Sequence, residues 1–288
     1  MSRSRDIALF SEAFLAEFGV DCGRNLEDTA RSIGLKVTEV SGVSFDGALV
    51  KAIGLNRGRV AIRRDIRETP RKRFTLAHEI GHYVLPEHAK QGEVCQNPEI
   101  EAFRSGAPPH EQEANMFAAQ ILMPRQVVAP LAQSNPSFDT IVAVSRRCDS
   151  SLSASAVRYA ELSPHRVAVV WSTDDHVRWY WRSEGFRRAV CVRRLTSDTL
   201  AARFFRGQDC PDRLEQVPAI AWLRDVNLRE DATILEHTKY LPNYGSTLTL
   251  LVIPERIEQW REEDDEETDN EMNPAEFTLT RRRWPTKR

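Results

Sequence analysis

The sequence predicts an α+β protein of more than one domain. Three observations predict it. Helical periodicity fills much of the first 162 residues, a group of short β-rich runs interrupts it between Lys36 and Arg64, and beyond Pro164 the texture turns β-rich. With 288 residues, 41% of them hydrophobic, the chain is long enough to bury a sizeable core. Its 40 basic and 42 acidic residues leave a net charge of −2, so no overall field steers it toward nucleic acid or an anionic membrane. Any such binding has to be local.

The opening "MSRSRDIALFSEAFLAEFG" carries Ile7, Phe10, Phe14, Leu15 and Phe18 at helical spacing, and Gly19 stops it. It takes Glu12 and Glu17 into its apolar part and reads as an amphipathic helix rather than a secretory signal. "LEDTARSIGL" repeats the plan with Leu26, Ala30 and Ile33 on one side. "KVTEV", "GALVKAIGL" and "RVAIRR" then read as the strands of a small sheet. In "ETPRKRFTLAHEIGHYVLPEH", Thr69 suits a helix N-cap, Pro70 the first helical position, and Pro86 the end. Leu76, Ala77, Ile80, Tyr83, Val84 and Leu85 surround the histidines of that helix, so it is expected to be buried on most sides. A further helix, "PPHEQEANMFAAQILMP", opens at Pro109, closes at Pro124 and shows the stripe Ala114, Phe117, Ala118, Ile121, Leu122.

His78 and His82 stand four apart, on one helical face about 6 Å from each other. This is the H-E-x-x-H pattern, and two imidazoles so placed can meet a single ion. Zinc suits them, because imidazole is a favoured ligand and an open position on zinc lowers the pKa of water from about 15.7 to about 7. Glu79 is then the acid/base that takes the proton from that water and gives it to a leaving amine. The bland alternative is an incidental core pair, but a His-Glu-His set in an apolar helix needs partners or a cation when buried.

A catalytic zinc needs a third protein ligand, and four residues are candidates: His88, His110, Glu111 and Glu113. His88 lies where H-E-x-x-H-x-x-G-x-x-H would put one, but Leu85 replaces the turn-forming glycine. His110 faces inward at the frayed start of its helix. Glu111 is in register with Ala114, Ala118 and Leu122 on the inward stripe, whereas Glu113 falls toward the margin. Glu111 is therefore the expected ligand, with Asn115 one turn on to hydrogen-bond a ligand from behind. Tyr83, His165 and His176 offer no clear transition-state donor.

"RFTLAHEIGH" followed by "EQEANMFAAQILMP" closely resembles the ImmA/IrrE family of bacterial zinc metallopeptidases, with H-E-x-G-H on one helix and E-x-x-A-[ND]-x-F-A-x-x-L-M-P on a later one. The resemblance covers roughly the first half of the chain. It implies a zincin-like, gluzincin-type domain with one zinc ion per chain, ligands His78, His82 and Glu111, catalytic Glu79, and Asn115 behind the ligands. Members of the family are similar in cleaving repressors of the Xre helix-turn-helix type, which switches on phage, mobile-element or stress-response genes. The family's histidine shortly after the motif helix is absent here, Pro86 standing in that stretch.

From Phe138 to Leu162 the sequence reads as helix, polar turn, helix, a layout like a helix-turn-helix. A regulator in which zinc is a structural clamp and this segment binds protein or DNA is the alternative to a peptidase. A DNA reader wants cations on its second helix, and "SASAVRYAEL" offers only Arg158, so a packing role is expected and direct DNA binding is not. Trp171, Trp179 and Trp181 alternate as strand residues do and read as core or cross-strand pairs. The expected division is a metallopeptidase domain at 1–135, a helical extension at 136–163, an α+β sensor or docking domain at 164–256, and a disordered charged tail at 257–288 ending in "RRRWPTKR". Five scattered cysteines, without a CxxC pair, argue against a disulfide framework or cysteine-bound zinc and fit a reducing cytoplasm. No apolar run is long enough to span a bilayer, and no membrane partner is expected.

Overall fold

The computed structural model describes residues 3–52, 56–86, 88, 94–97, 108–224 and 231–254. The expected disordered tail at 257–288 lies outside the described residues. Helices α1 (Arg3–Phe18) and α2 (Leu26–Ser32) lead into strands β1 (Leu35–Val40), β2 (Gly47–Lys51) and β3 (Gly58–Arg63), where the sequence places a sheet. A fourth strand, β4 (Val94–Asn97), completes it in the order β1-β3-β2-β4. β1 runs parallel to β3, while β2 is antiparallel to β3 and to β4.

Helix α3 (Thr69–Val84) carries the H-E-x-x-H pattern. Its N-cap is Glu68 rather than Thr69, one residue earlier than expected, and it offers no side-chain cap. Compensation comes from Asp46, whose buried carboxylate meets Arg63 at 2.6 Å and Arg71 at 2.5 Å. That pair of bridges ties the first turn of α3 to the chain just before β2 and to the end of β3. Every residue from Thr75 to His82 is buried. Helix α4 (Pro109–Leu122) lies across α3, and α1 covers α4. Phe117 is fully buried there, edge-on to Phe14 with ring centres 5.3 Å apart, a burial that contributes about 1.5–3 kcal/mol.

Three further helices follow, α5 (Arg125–Ala132), α6 (Phe138–Cys148) and α7 (Leu152–Leu162). Ser137 and Ser151 cap the last two by accepting hydrogen bonds from the backbone N–H of Thr140 and Ala154. The second sheet holds β5 (Val167–Thr173), β6 (His176–Arg182), β7 (Glu215–Pro218), β8 (Thr233–Leu241) and β9 (Ser246–Val252), antiparallel throughout, in the order β6-β5-β9-β8-β7. Trp171 pairs with Trp179 across β5 and β6, and their rings stack at 5.8 Å, the cross-strand pair that the alternation predicts. One face of this sheet packs on α6 and α7, with Phe138, Tyr159, Val169 and Leu250 in one cluster. The other covers α8 (Leu200–Phe205) and Trp222. The architecture is mixed α+β with two sheets, and among the described residues no helix is long and apolar enough to cross a membrane.

Candidate metal centre

The site forms where α3 and α4 touch. Gly81 permits the contact: a Cβ on it would stand 3.1 Å from the Phe117 ring and 3.3 Å from the Ala114 Cα. With that glycine the second helix comes close enough for Glu111 to reach across. Its carboxylate lies 3.1 Å from His78 Nε2 and 3.4 Å from His82 Nε2. One ligand atom from each of the three residues falls within 4.8 Å of the other two.

The donors fit a cation. His78 donates from Nδ1 to the Asn115 side-chain oxygen at 2.8 Å, which leaves its Nε2 lone pair turned toward the cluster. That Nε2 is 2.9 Å from the Nε2 of His82. Both imidazoles are buried, and two ring nitrogens facing each other are poorly satisfied by protons alone. The set of two imidazoles and a carboxylate suits zinc and also other divalent ions. Burial lowers the pKa of His82 in spite of the opposing hydrogen bond to Glu111, so its ring stays neutral and able to ligate. Burial opposes ionisation of Glu111 too, but the two imidazoles of His78 and His82 beside it outweigh that and hold its carboxyl well below the usual carboxylate range.

Glu79 is fully buried beside this cluster, and neither of its carboxylate oxygens has a hydrogen-bond partner among the described residues. Burial, then the charge of Glu111, pushes its pKa well above the usual value. β2 supplies the room for it. A Cβ on Gly47 would come within 2.7 Å of a Glu79 carboxylate oxygen and 2.5 Å of the Thr75 methyl.

Residues 30–159 match the family model described as the IrrE N-terminal-like domain, a peptidase family. Over these residues, less than half of its length, the chain is similar to the ImmA/IrrE family. A solved structure described as a Mycobacterium tuberculosis transcriptional regulator is similar in fold, with a TM-score of 0.50 and 13% identity over 86% of this chain and 75% of that one. Comparison with curated proteins gives no match.

The other three candidates for the third ligand lie beside the cluster without joining it. Glu113 meets Arg3 of α1 at 2.5 Å and His88 at 2.6 Å. The hydrogen bond from Arg3, then that from His88, holds the Glu113 carboxyl below its ordinary value. The side chain of His88 is itself buried, with its ring centre 5.4 Å from that of His82, and burial lowers its pKa. His110 is half exposed and touches Glu111 at 3.4 Å from the outside. Tyr83 turns to the sheet, under Lys51, while His165 and His176 bind the carbonyls of Gln133 and Asp174 away from the cluster.

Sequence reasoning missed the Arg3–Glu113–His88 chain beside the site, because its members are up to 110 positions apart. It also missed Gly47, whose role is set by the strand it begins. Arg158, the cation that a DNA-reading α7 would offer, is buried and donates to the Met123 carbonyl and the Gln120 side chain, both at 3.0 Å. It also pairs with Glu161 at 2.8 Å.

Proposed function

We propose that the chain is a zinc-dependent endopeptidase that cleaves an Xre-type helix-turn-helix repressor and so derepresses phage, mobile-element or stress-response genes. The observation that carries this reading is the convergence of His78, His82 and Glu111 from two helices, with the unpartnered carboxylate of Glu79 buried alongside. His78, His82 and Glu111 would hold the ion, and Asn115 would fix the His78 ring behind it. A bound zinc ion supplies Lewis acidity, polarising the scissile carbonyl and bringing the pKa of water to about 7.

Glu79 does the proton work. Its carboxylate accepts a proton from the attacking water and delivers it to the nitrogen of the breaking amide, so the leaving amine departs neutral. Glu79, His78 and His82 are all buried, which keeps bulk water away from that transfer. A metal that only clamps the fold has no use for a free carboxylate held beside it. The buried, bound state of Arg158 supports a packing role for α7 over DNA reading. In this reading residues 1–135 are the zincin-like, gluzincin-type domain, 136–163 its helical extension, 164–256 a sensor or docking domain and 257–288 a charged tail.

The test is incubation of the purified chain with an Xre-type repressor, with and without a chelator, beside Glu79→Gln. Cleavage that needs the metal, and falls by about 100-fold or more in the variant while metal content stays level, is expected. Equal cleavage by E79Q, or none by the metal-loaded wild type on any such repressor, overturns the reading.

A further inference from the structure

Five cysteines scattered along the sequence give no hint of pairing, yet two of them meet. Cys22, in the turn between α1 and α2, and Cys148, at the end of α6, are both fully buried, and the Cys148 thiol points at the Cys22 sulfur at 3.6 Å. They are 126 positions apart. Arg147 brings a guanidinium to 3.5 Å from the same Cys22 sulfur. Asp21 holds that guanidinium at 3.0 Å, and the two side chains are about half exposed, so the sulfurs lie one side-chain layer beneath solvent.

We propose that Cys22 and Cys148 form a redox site that closes reversibly to a disulfide when a hydroperoxide oxidises it. Cys22 is the attacking sulfur. A thiolate there has the Cys148 S–H and the Arg147 guanidinium to stabilise it, which is the environment that makes a cysteine reactive. The hydrogen bond from Cys148, and after it the charge of Arg147, lowers the pKa of Cys22 against the effect of burial, while the same hydrogen bond raises that of Cys148.

The chemistry balances. The Cys22 thiolate attacks one oxygen of hydrogen peroxide; the O–O bond breaks, the other oxygen leaves and is protonated to water, and Cys22 becomes a sulfenic acid. The Cys148 sulfur, giving up its proton, then displaces the hydroxyl, which leaves as a second water while the S–S bond forms. Two thiols lose two electrons and two protons, and one peroxide becomes two waters. From 3.6 Å the sulfurs close by about 1.5 Å to bonding distance.

The position of the pair gives the bond its consequence. Arg73, on the helix that carries His78 and His82, donates to the backbone carbonyls of both Cys22 and Cys148. Cys22 and the neighbouring Asp149 hold φ of +48°, a conformation that side chains rarely adopt. A disulfide here would therefore staple two otherwise strained turns around the foot of α3, in a loop that encloses the first sheet, α3 and α4.

The full-length, metal-loaded protein is treated with hydrogen peroxide, alkylated and mapped without reduction. The expected result is one intramolecular Cys22–Cys148 cross-link, a mass lower by two hydrogens, reversal by dithiothreitol, and a Tm raised by about 5 °C or more. In Cys148→Ser, dimedone is expected to trap a sulfenic acid at Cys22; in Cys22→Ser, none at Cys148. Arg147→Gln, which leaves both sulfurs in place, is expected to slow cross-linking several-fold while Arg146→Gln does not. Absence of the Cys22–Cys148 link in the wild type, or links shared out among Cys95, Cys191 and Cys210, overturns the proposal. An unchanged rate in R147Q, or sulfenic acid at Cys148 instead, overturns Cys22 as the attacking sulfur.

Discussion

The Nδ1 of His78 donates to the side-chain oxygen of Asn115 at 2.8 Å, so that one hydrogen bond fixes both a ring's tautomer and the register of α4 against α3. Asn115→Ala removes it without touching any residue assigned to the ion. Zinc affinity is expected to fall about 10- to 100-fold, with the far-ultraviolet circular dichroism unchanged. Unchanged affinity by competition with a chromogenic chelator would show that Asn115 only fills space.

Glu111 and Glu113 are two positions apart and serve different partners. Glu111→Ala is expected to empty the site, read as metal per chain by plasma emission spectroscopy. Glu113→Ala releases Arg3 and His88 but should leave zinc at one per chain. The opposite pattern would transfer the ligand role.

Gly47 lies beneath Glu79, where a Cβ would stand 2.7 Å from a carboxylate oxygen. Gly47→Ala therefore displaces Glu79 and Thr75 but leaves His78, His82 and Glu111 in place. Peptidase turnover is expected to drop by about 10- to 100-fold at normal zinc content, because an ångström of misplacement costs that much. Loss of zinc in step with activity would refute this placement.

The pH dependence follows from His82. Its pKa is lowered in the fold from an ordinary 6.5, so below that value the unfolded chain takes up the proton first, and stability falls as pH falls. Zinc competes with the same proton, and Glu111, also lowered, adds loss of the same sign further into acid. Calorimetric titrations from pH 8 to pH 5 should show affinity level at first and weakening once the buried ring begins to charge; rising affinity toward acid would contradict the assignment.

Arg158 is a buried cation with three partners. Arg158→Ala strands the Met123 carbonyl and Gln120, and is expected to cost about 2–4 kcal/mol of stability by urea denaturation. A variant as stable as the wild type that had lost binding to duplex DNA would instead place α7 in a groove.

Much of the site could be read from the sequence because helices write their contacts at fixed spacings. His78 and His82 share a face by being four apart, and the stripe from Ala114 to Leu122 turns Glu111 inward whatever the rest of the chain does. Glu113 shows the limit of that reasoning: expected at the margin, it is pulled inward by Arg3 and His88, neither of which its own helix predicts. Strands β4, β7 and β8 and helices α5 and α8 went unread for a similar reason. They are short or weakly patterned, and their partners lie far along the chain, as Glu215 does from Glu236 and Val94 from Val50. The cysteine pair is the extreme case, since burial and the left-handed turns that bring it together leave no local mark.

The face of the second sheet that rests on α6 and α7 has a practical consequence. Val167, Val169, Leu248 and Leu250 share their burial with Phe138, Tyr159 and Ala160. Cutting the chain at Ser163 would therefore bare a greasy wall on each fragment, and the front portion, expressed alone, would be prone to stick to itself rather than stay dispersed.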